Sequence, residues 1–137
     1  MSLVIDSSIT LAWFFEDERT VAANDVLGQV AERGANAPSL WRLEVANAFH
    51  SAVRRKRVTA DFRDASLEDL RALLVTVDTE TDLHAWTTTL ELAERFNLTV
   101  YDATYLELAQ RLGCPLATLD RELRSAADAL GVELLGI

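Results

Sequence analysis

Cysteine is nearly absent from these 137 residues: Cys114 stands alone, which excludes an internal disulfide and any zinc site built from cysteines. The two histidines, His50 and His84, do not have the spacing of a metal-binding pair. Any metal chemistry must therefore use oxygen ligands. Two prolines and five glycines leave no room for a long disordered linker, and there is no glycine-rich phosphate loop, internal repeat or low-complexity tract. Cations are also scarce. Thirteen Lys and Arg against 22 Asp and Glu give a net charge of −9, which argues against a protein that coats nucleic acid through its overall field. The apolar opening "MSLVIDSSITLAWFF" lacks a basic leader region and is interrupted by Asp6 and closed by Glu16, so neither a signal peptide nor a membrane span is expected. A cytoplasmic location with no membrane partner is the corresponding expectation.

Half of the residues are hydrophobic, and the length suits one domain spanning 1–137 with a real core. The β-branched run "LVI" ends at Asp6 and is followed by the helical spacing of "SSITLAWFF". A second helix is predicted from about Arg19 to Arg33, stopping at Gly34, and "ANAPSL" reads as a short strand or turn. Ser39 is placed to cap a long helix from Leu40 to about Arg57, and Thr59 to cap the helix in "ADFRDASLEDLRALL". The strand-like "VTVDT" comes next, then a helix from Asp82 to Phe96 whose three consecutive threonines oppose it, then a helix ending at Gly113. "PLATL", "RELRSAADALG" and "VELLGI" read as strand, helix and strand. Short apolar strands alternating with helices imply an α/β fold with a parallel sheet covered on both faces, in which ligands collect beyond the carboxyl ends of the strands.

Two acids stand at such ends, Asp6 after "LVI" and Asp120 after "PLATL", each with hydroxyls nearby in Ser7, Ser8 and Thr118. Either could simply cap the helix that follows. Asp102 has its own local reading, since Thr99 and Asp102 have capping-box spacing and an acid in a first turn complements the helix dipole. Glu44 falls on a stripe with Asn47, Ser51 and Arg54 or Arg55, beside an expected core face of Trp41, Val45, Ala48, Phe49 and Ala52. Such a stripe is ordinarily solvated, but one that borders the core can also face a cleft.

Taken together, "VIDSS", "LEVANAF", "TVYDATYLELA" and "LATLDRELRSAA" resemble a PIN domain. The short length resembles the VapC-type toxins of toxin–antitoxin pairs, and the resemblance runs from Leu3 to the closing "VELLGI". It implies a three-layer α/β/α domain with a short central parallel sheet. The family's acidic quartet falls on Asp6, Glu44, Asp102 and Asp120, with Thr118, Ser7 and Asn47 in support. Carboxylates that converge without cationic partners repel one another, and a hard divalent cation, Mg²⁺ or Mn²⁺, relieves that repulsion. Asp6, Asp102 and Asp120 are then expected mainly as metal ligands, and Glu44 either as a ligand through water or as a residue that positions the nucleophile.

The resemblance further implies endonucleolytic hydrolysis of RNA, a cognate antitoxin and a homodimer. The local cluster Arg54, Arg55, Lys56 and Arg57 is the candidate RNA contact, although cations at a helix C-terminus also have a purely structural reading. An apolar excess at Trp13, Phe14 and Phe15 would suit a dimer interface, or all three could be core. Two other classes compete. A phosphoaspartyl hydrolase also places an Asp after its first strand, but a second Asp is expected where Ser8 stands. A non-catalytic interaction module would keep the fold and use the acids only as caps.

Overall fold

A computed structural model of the chain describes residues 2–137. Five short strands, β1 (Val4–Ile5), β2 (Ala35–Ala37), β3 (Val75–Val77), β4 (Leu116–Ala117) and β5 (Leu134–Leu135), form one parallel sheet in the order β3-β2-β1-β4-β5. Among the described residues, eight helices connect them: α1 (Ser7–Ala12), α2 (Val21–Arg33), α3 (Trp41–Arg54), α4 (Ala60–Ala72), α5 (Thr81–His84), α6 (Thr88–Phe96), α7 (Val100–Leu112) and α8 (Arg121–Ala129). A 3₁₀ turn follows α1 at Glu16–Glu18. The chain builds outward from β1 to β3, then returns to lay β4 on the other side of β1. The strand order therefore reverses between β1 and β4, and the crevice beyond the carboxyl ends of these two strands is where such a sheet collects ligands.

Val4, Ile5, Leu116 and Ala117 are all fully buried. Successive strand residues point to opposite faces, so this burial requires helices on both sides of the sheet, as the sequence led us to expect. The central strands gain little from length and much from burial, about 1.5–3 kcal/mol for each large apolar side chain. Trp41, Val45, Phe49 and Ala52 supply α3's buried face, while Ala48 is only partly covered.

The structure departs from the sequence reading in several places. Ser39 does not cap α3: the N-cap position is Leu40, with no side-chain cap, and the Ser39 N–H is instead taken by Thr81 Oγ1 at 3.2 Å. The predicted helix over 82–96 is two helices, broken where Trp86 and the threonine run intervene, and Thr87 has non-helical φ −121° and ψ −100°. β-branched residues lose rotamer freedom against the preceding turn, which favours a break there. Helix α1 stops at Ala12, and the aromatic residues after it turn inward. Trp13 and Phe15 are buried, Trp13 Nε1 donates to the Ala23 carbonyl, and Phe14 and Phe15 both pack on Phe49. These three residues thus belong to the core and carry no argument for a dimer. Gly34 ends α2 at φ 79°, and a Cβ there would stand 2.6 Å from the Leu74 carbonyl oxygen, so both conformation and contact require glycine.

Candidate active site

The register Ile5↔Ala117 sets the residues following β1 and β4 side by side. Asp6 is the N-cap of α1, and its Oδ1 accepts from the Ile9 N–H at 3.0 Å and from Ser8 Oγ at 2.7 Å. Its Oδ2 accepts a short hydrogen bond from Thr118 Oγ1. Thr118 in turn accepts from the Asp120 N–H at 3.0 Å, and Ser8 Oγ accepts from the Leu119 N–H at 2.9 Å. The two strand ends are thereby bolted together by hydroxyls. Arg124 adds a lower anchor, its Nη1 donating to the carbonyls of Thr118 and Leu135. Asp120 caps α8 through Oδ2 to the Leu123 N–H at 2.8 Å.

Asp102 occupies the first turn of α7, where its N–H donates to Thr99 Oγ1 at 3.1 Å, as the capping-box spacing predicts. Glu44 occupies the first turn of α3, and its Oε1 accepts a short hydrogen bond from the Tyr105 hydroxyl. Ser7 also lies against Glu44 and Tyr105, whereas Ser8 is committed to Asp6. The two serines thus divide: Ser8 stiffens the strand-end network and Ser7 faces the glutamate.

Electrostatics ties the four acids into one field. Burial pushes the Asp6 carboxyl from its ordinary 3.8 up to about 6, against the lowering effect of its Thr118, Ile9 and Ser8 hydrogen bonds, and the Asp120 charge adds to the rise. The Asp102 carboxyl is raised by burial and then by Asp120. Burial also raises the Glu44 carboxyl, opposed by the Tyr105 hydrogen bond and supported by the Asp102 charge. Each of the four therefore either feels or exerts the charge of another. No Lys or Arg forms an ion pair with any of them among the described residues.

Among the described residues, no three acids converge tightly enough to form a ready-made cation cage. Lone-pair accounting shows what remains free. Asp6 uses three of about four acceptor positions, Asp120 keeps Oδ1, and Glu44 keeps Oε2. An all-carboxylate donor set that lacks cationic partners suits a hard divalent cation.

The supporting residues named from sequence are not equally placed. Thr118 is buried at the centre of the network, while Asn47 is exposed on α3. Arg54, Arg55, Lys56 and Arg57 are exposed, but α3 places Arg54 ten residues, roughly 15 Å along the axis, from Glu44. Arg57 is held by Asp17 in a two-pronged bond at 2.6 and 2.8 Å and lies 4.5 Å from the Phe15 ring centroid. A groove of about 320 Å³ lined by Trp41, Val45, Leu70 and Val75 opens beside α3 and α4 rather than over the acids. The sequence placed both Ser7 and Ser8 near Asp6 without choosing between them, and it missed Tyr105, whose place one turn after Asp102 was the available signal.

This chain belongs to the PIN-domain family, whose model matches residues 3–129. Its likeness falls within the VapC group of that family. It is 32% identical over 130 residues to ribonuclease VapC3 of Pyrobaculum aerophilum, covering 95% of this chain and 98% of the relative. It is 31% identical over 129 residues to VapC ribonuclease Mb0985 of Mycobacterium bovis, covering 93% and 92%. Among solved structures, the fold matches PAE2754 from Pyrobaculum aerophilum with a TM-score of 0.71 at 24% identity, over 98% of this chain and 83% of that one. It matches VapBC2 from Rickettsia felis, bound to a DNA fragment from the promoter, with a TM-score of 0.65 at 13% identity, over 98% and 97%.

Proposed function

We propose that the chain is a divalent-metal-dependent endoribonuclease, the toxin of a toxin–antitoxin pair, with Asp6, Glu44, Asp102 and Asp120 as its catalytic acids. The observation that carries this reading is the electrostatic chain of four carboxylates at the β1/β4 switch, unneutralised by any ion-paired Lys or Arg among the described residues. The ribonuclease names of its relatives and their nearly full-length match support the substrate class.

Asp6, Asp102 and Asp120 would hold Mg²⁺ or Mn²⁺, and Glu44 would reach the ion through a water. Such an ion, when bound, supplies charge stabilisation at a phosphodiester oxygen and acidifies water. The chain's own contribution is positional. Thr118, Ser8 and the Ile9 N–H fix Asp6 so that its remaining lone pair has one direction. Glu44 Oε2 is the free acceptor that would orient an attacking water and take its proton; as the new P–O bond forms, the bond to the leaving nucleotide oxygen breaks and that oxygen takes a proton from solvent. The RNA phosphates meet an acidic surface, so local cations must help. Arg54, Arg55 and Lys56 are free to do so, while Arg57 is occupied by Asp17 and Glu18. The partners are RNA, a cognate antitoxin and a second copy of the chain, in the cytoplasm. No helix among the described residues is long and apolar enough to cross a membrane.

The phosphoaspartyl alternative fares worse on one observation. Asp6 is 4% exposed with both oxygens hydrogen-bonded, and Ser8, at the position of the expected second Asp, bonds back to it. Neither is poised as a nucleophile or a leaving-group acid. The test is cleavage of a pool of structured RNAs with Mn²⁺, with chelator, and by Asp6→Asn. Cleavage that needs the ion and disappears in the variant is expected. Equal cleavage in chelator, or by the variant, would overturn the assignment.

A further inference from the structure

Tyr105 is almost completely buried on α7, one helical turn beyond Asp102, and its hydroxyl reaches across to Glu44 on α3, 61 positions earlier in the chain. A buried tyrosine hydroxyl needs a partner, so the contact has a purely structural reading in which Glu44 serves Tyr105. Two observations favour the reverse. Phenylalanine would fill the same apolar volume with no hydroxyl to satisfy, so packing does not call for tyrosine here. Glu44 is also a half-buried acid with no ion-pair partner among the described residues and with Asp102 pressing on it. A neutral donor is the one kind of partner that fixes this carboxylate without cancelling the charge the site needs.

We infer that Tyr105 is a positioning residue: its hydroxyl occupies Glu44 Oε1 and so presents Oε2 as the single working oxygen toward the shared acidic site. The geometry has a consequence for both helices. Asp102 and Tyr105 lie three residues apart on the same helix, hence on neighbouring positions of one face, so α7 sets its own acid and the orientation of α3's acid together. Ser7, at the start of α1, lies against both members of the pair. Outer hydrogen-bond partners of this kind typically carry about 10- to 100-fold in metal affinity or activity.

This inference rests on the ribonuclease reading, and its test separates the two. Mn²⁺ alone is titrated calorimetrically into wild type, Tyr105→Phe, Glu44→Gln and the double variant. Single-turnover cleavage is measured on an RNA that wild type cuts, and melting is followed in chelator. Tyr105→Phe is expected to lower Mn²⁺ affinity and the cleavage rate about tenfold each, with RNA affinity unchanged and the chelator melt lowered by at most a few degrees for the one lost hydrogen bond. The double variant is expected to match Glu44→Gln in both readouts, because a residue that acts through Glu44 has nothing left to position once Glu44 is neutral. Losses that add in the double variant would overturn it. So would a Tyr105→Phe protein that melts lower in chelator yet binds Mn²⁺ like wild type, or a wild type that binds no Mn²⁺. Should wild type bind Mn²⁺ but cut no RNA, the ribonuclease reading fails while the Mn²⁺ cycle still decides the role of Tyr105.

Discussion

Replacing Asp6 with Asn should stabilise the metal-free protein, and by an amount that depends on pH. The Asp6 carboxyl is almost completely buried and its pKa rises from 3.8 to about 6 on folding. A raised carboxyl means that the folded state holds the proton more tightly than the unfolded state between those two values. Stability associated with Asp6 is then fully present below pH 3.8, is lost as pH rises through about 6, and stays lost above it. At about 1.4 kcal/mol for each pH unit, the loss is on the order of 3 kcal/mol. In Asp6→Asn, Oδ1 still accepts from the Ile9 N–H and Ser8, but Nδ2 replaces an acceptor, so Thr118 must turn its hydroxyl to accept. Thr118 already accepts from the Asp120 N–H, and its proton is left with Ser8 Oγ at 3.4 Å, a poor bond. That rearrangement costs about 1 kcal/mol. The net expectation is a variant about 2 kcal/mol more stable than wild type at pH 8 in chelator, with the difference shrinking and then reversing as pH falls to 4. Urea unfolding of both proteins across that range measures it. Groups such as Glu44, Asp102 and Asp78 titrate in both proteins and largely cancel in the difference. A difference that is flat with pH, or a wild type that gains on the variant as pH rises, would refute the burial argument.

Other residues carry predictions of different sign. Asp102→Asn should be no less stable than wild type in chelator, since its carboxyl is raised by burial and by Asp120, and should gain less melting temperature from Mn²⁺; a variant destabilised in chelator yet normally stabilised by Mn²⁺ would return Asp102 to capping alone. Arg111 bridges Glu107, Asp78 and Glu80, so Arg111→Met leaves a buried Glu107 unpaired and should cost about 3 kcal/mol or more at pH 7; denaturant unfolding that shows less than about 1 kcal/mol would mean water reaches the pair. Neutralising Arg54, Arg55 and Lys56 together should reduce the slope of log affinity for single-stranded RNA against log salt by about 2, at about 0.7 per charge, whereas neutralising Arg57 should leave it unchanged. An unaltered slope in the triple variant would place RNA contacts elsewhere.

Periodicity and strand-end chemistry made the parallel α/β frame legible, because strands buried on both faces must read as continuous apolar runs. The caps at Thr59 and Thr99 were legible too, being local in sequence. What sequence could not resolve was decided by distant contacts. Helix α3 starts one residue later than a Ser39 cap requires, with Leu40 as its N-cap, while the Ser39 N–H goes to Thr81, 42 positions away, and Trp13 to Phe15 found their partner in Phe49 and the Ala23 carbonyl. The division of labour between Ser7 and Ser8 depends on where β4 ends, and no reading of "DSS" alone contains it. The helix break at Trp86 lay within reach, since the threonine run already opposed a continuous helix.

All four candidate acids sit at or in the first turn of a helix, Asp6 at α1, Glu44 at α3, Asp102 at α7 and Asp120 at α8. Position alone therefore cannot separate caps from catalytic groups, and magnitudes must. A capping side chain contributes about 1 kcal/mol, and favourable interaction with the helix dipole adds about 0.3–1 kcal/mol. For Asp120, which caps α8 with one oxygen and keeps the other free on a partly exposed helix end, these gains are compatible with a second role as a metal holder and do not decide between the two. For Asp6 they fall short. Its cap is offset by roughly 3 kcal/mol of charge burial, and Asn or Ser would cap α1 as well with no charge to bury. An aspartate at that position is a net loss to the metal-free fold, and a charge retained at a loss is one that something other than folding requires. The helix ends soften that loss: at α1 and α8 their N–H groups bond the acids directly, as cationic side chains otherwise would, and leave the carboxylates charged for a cation to meet.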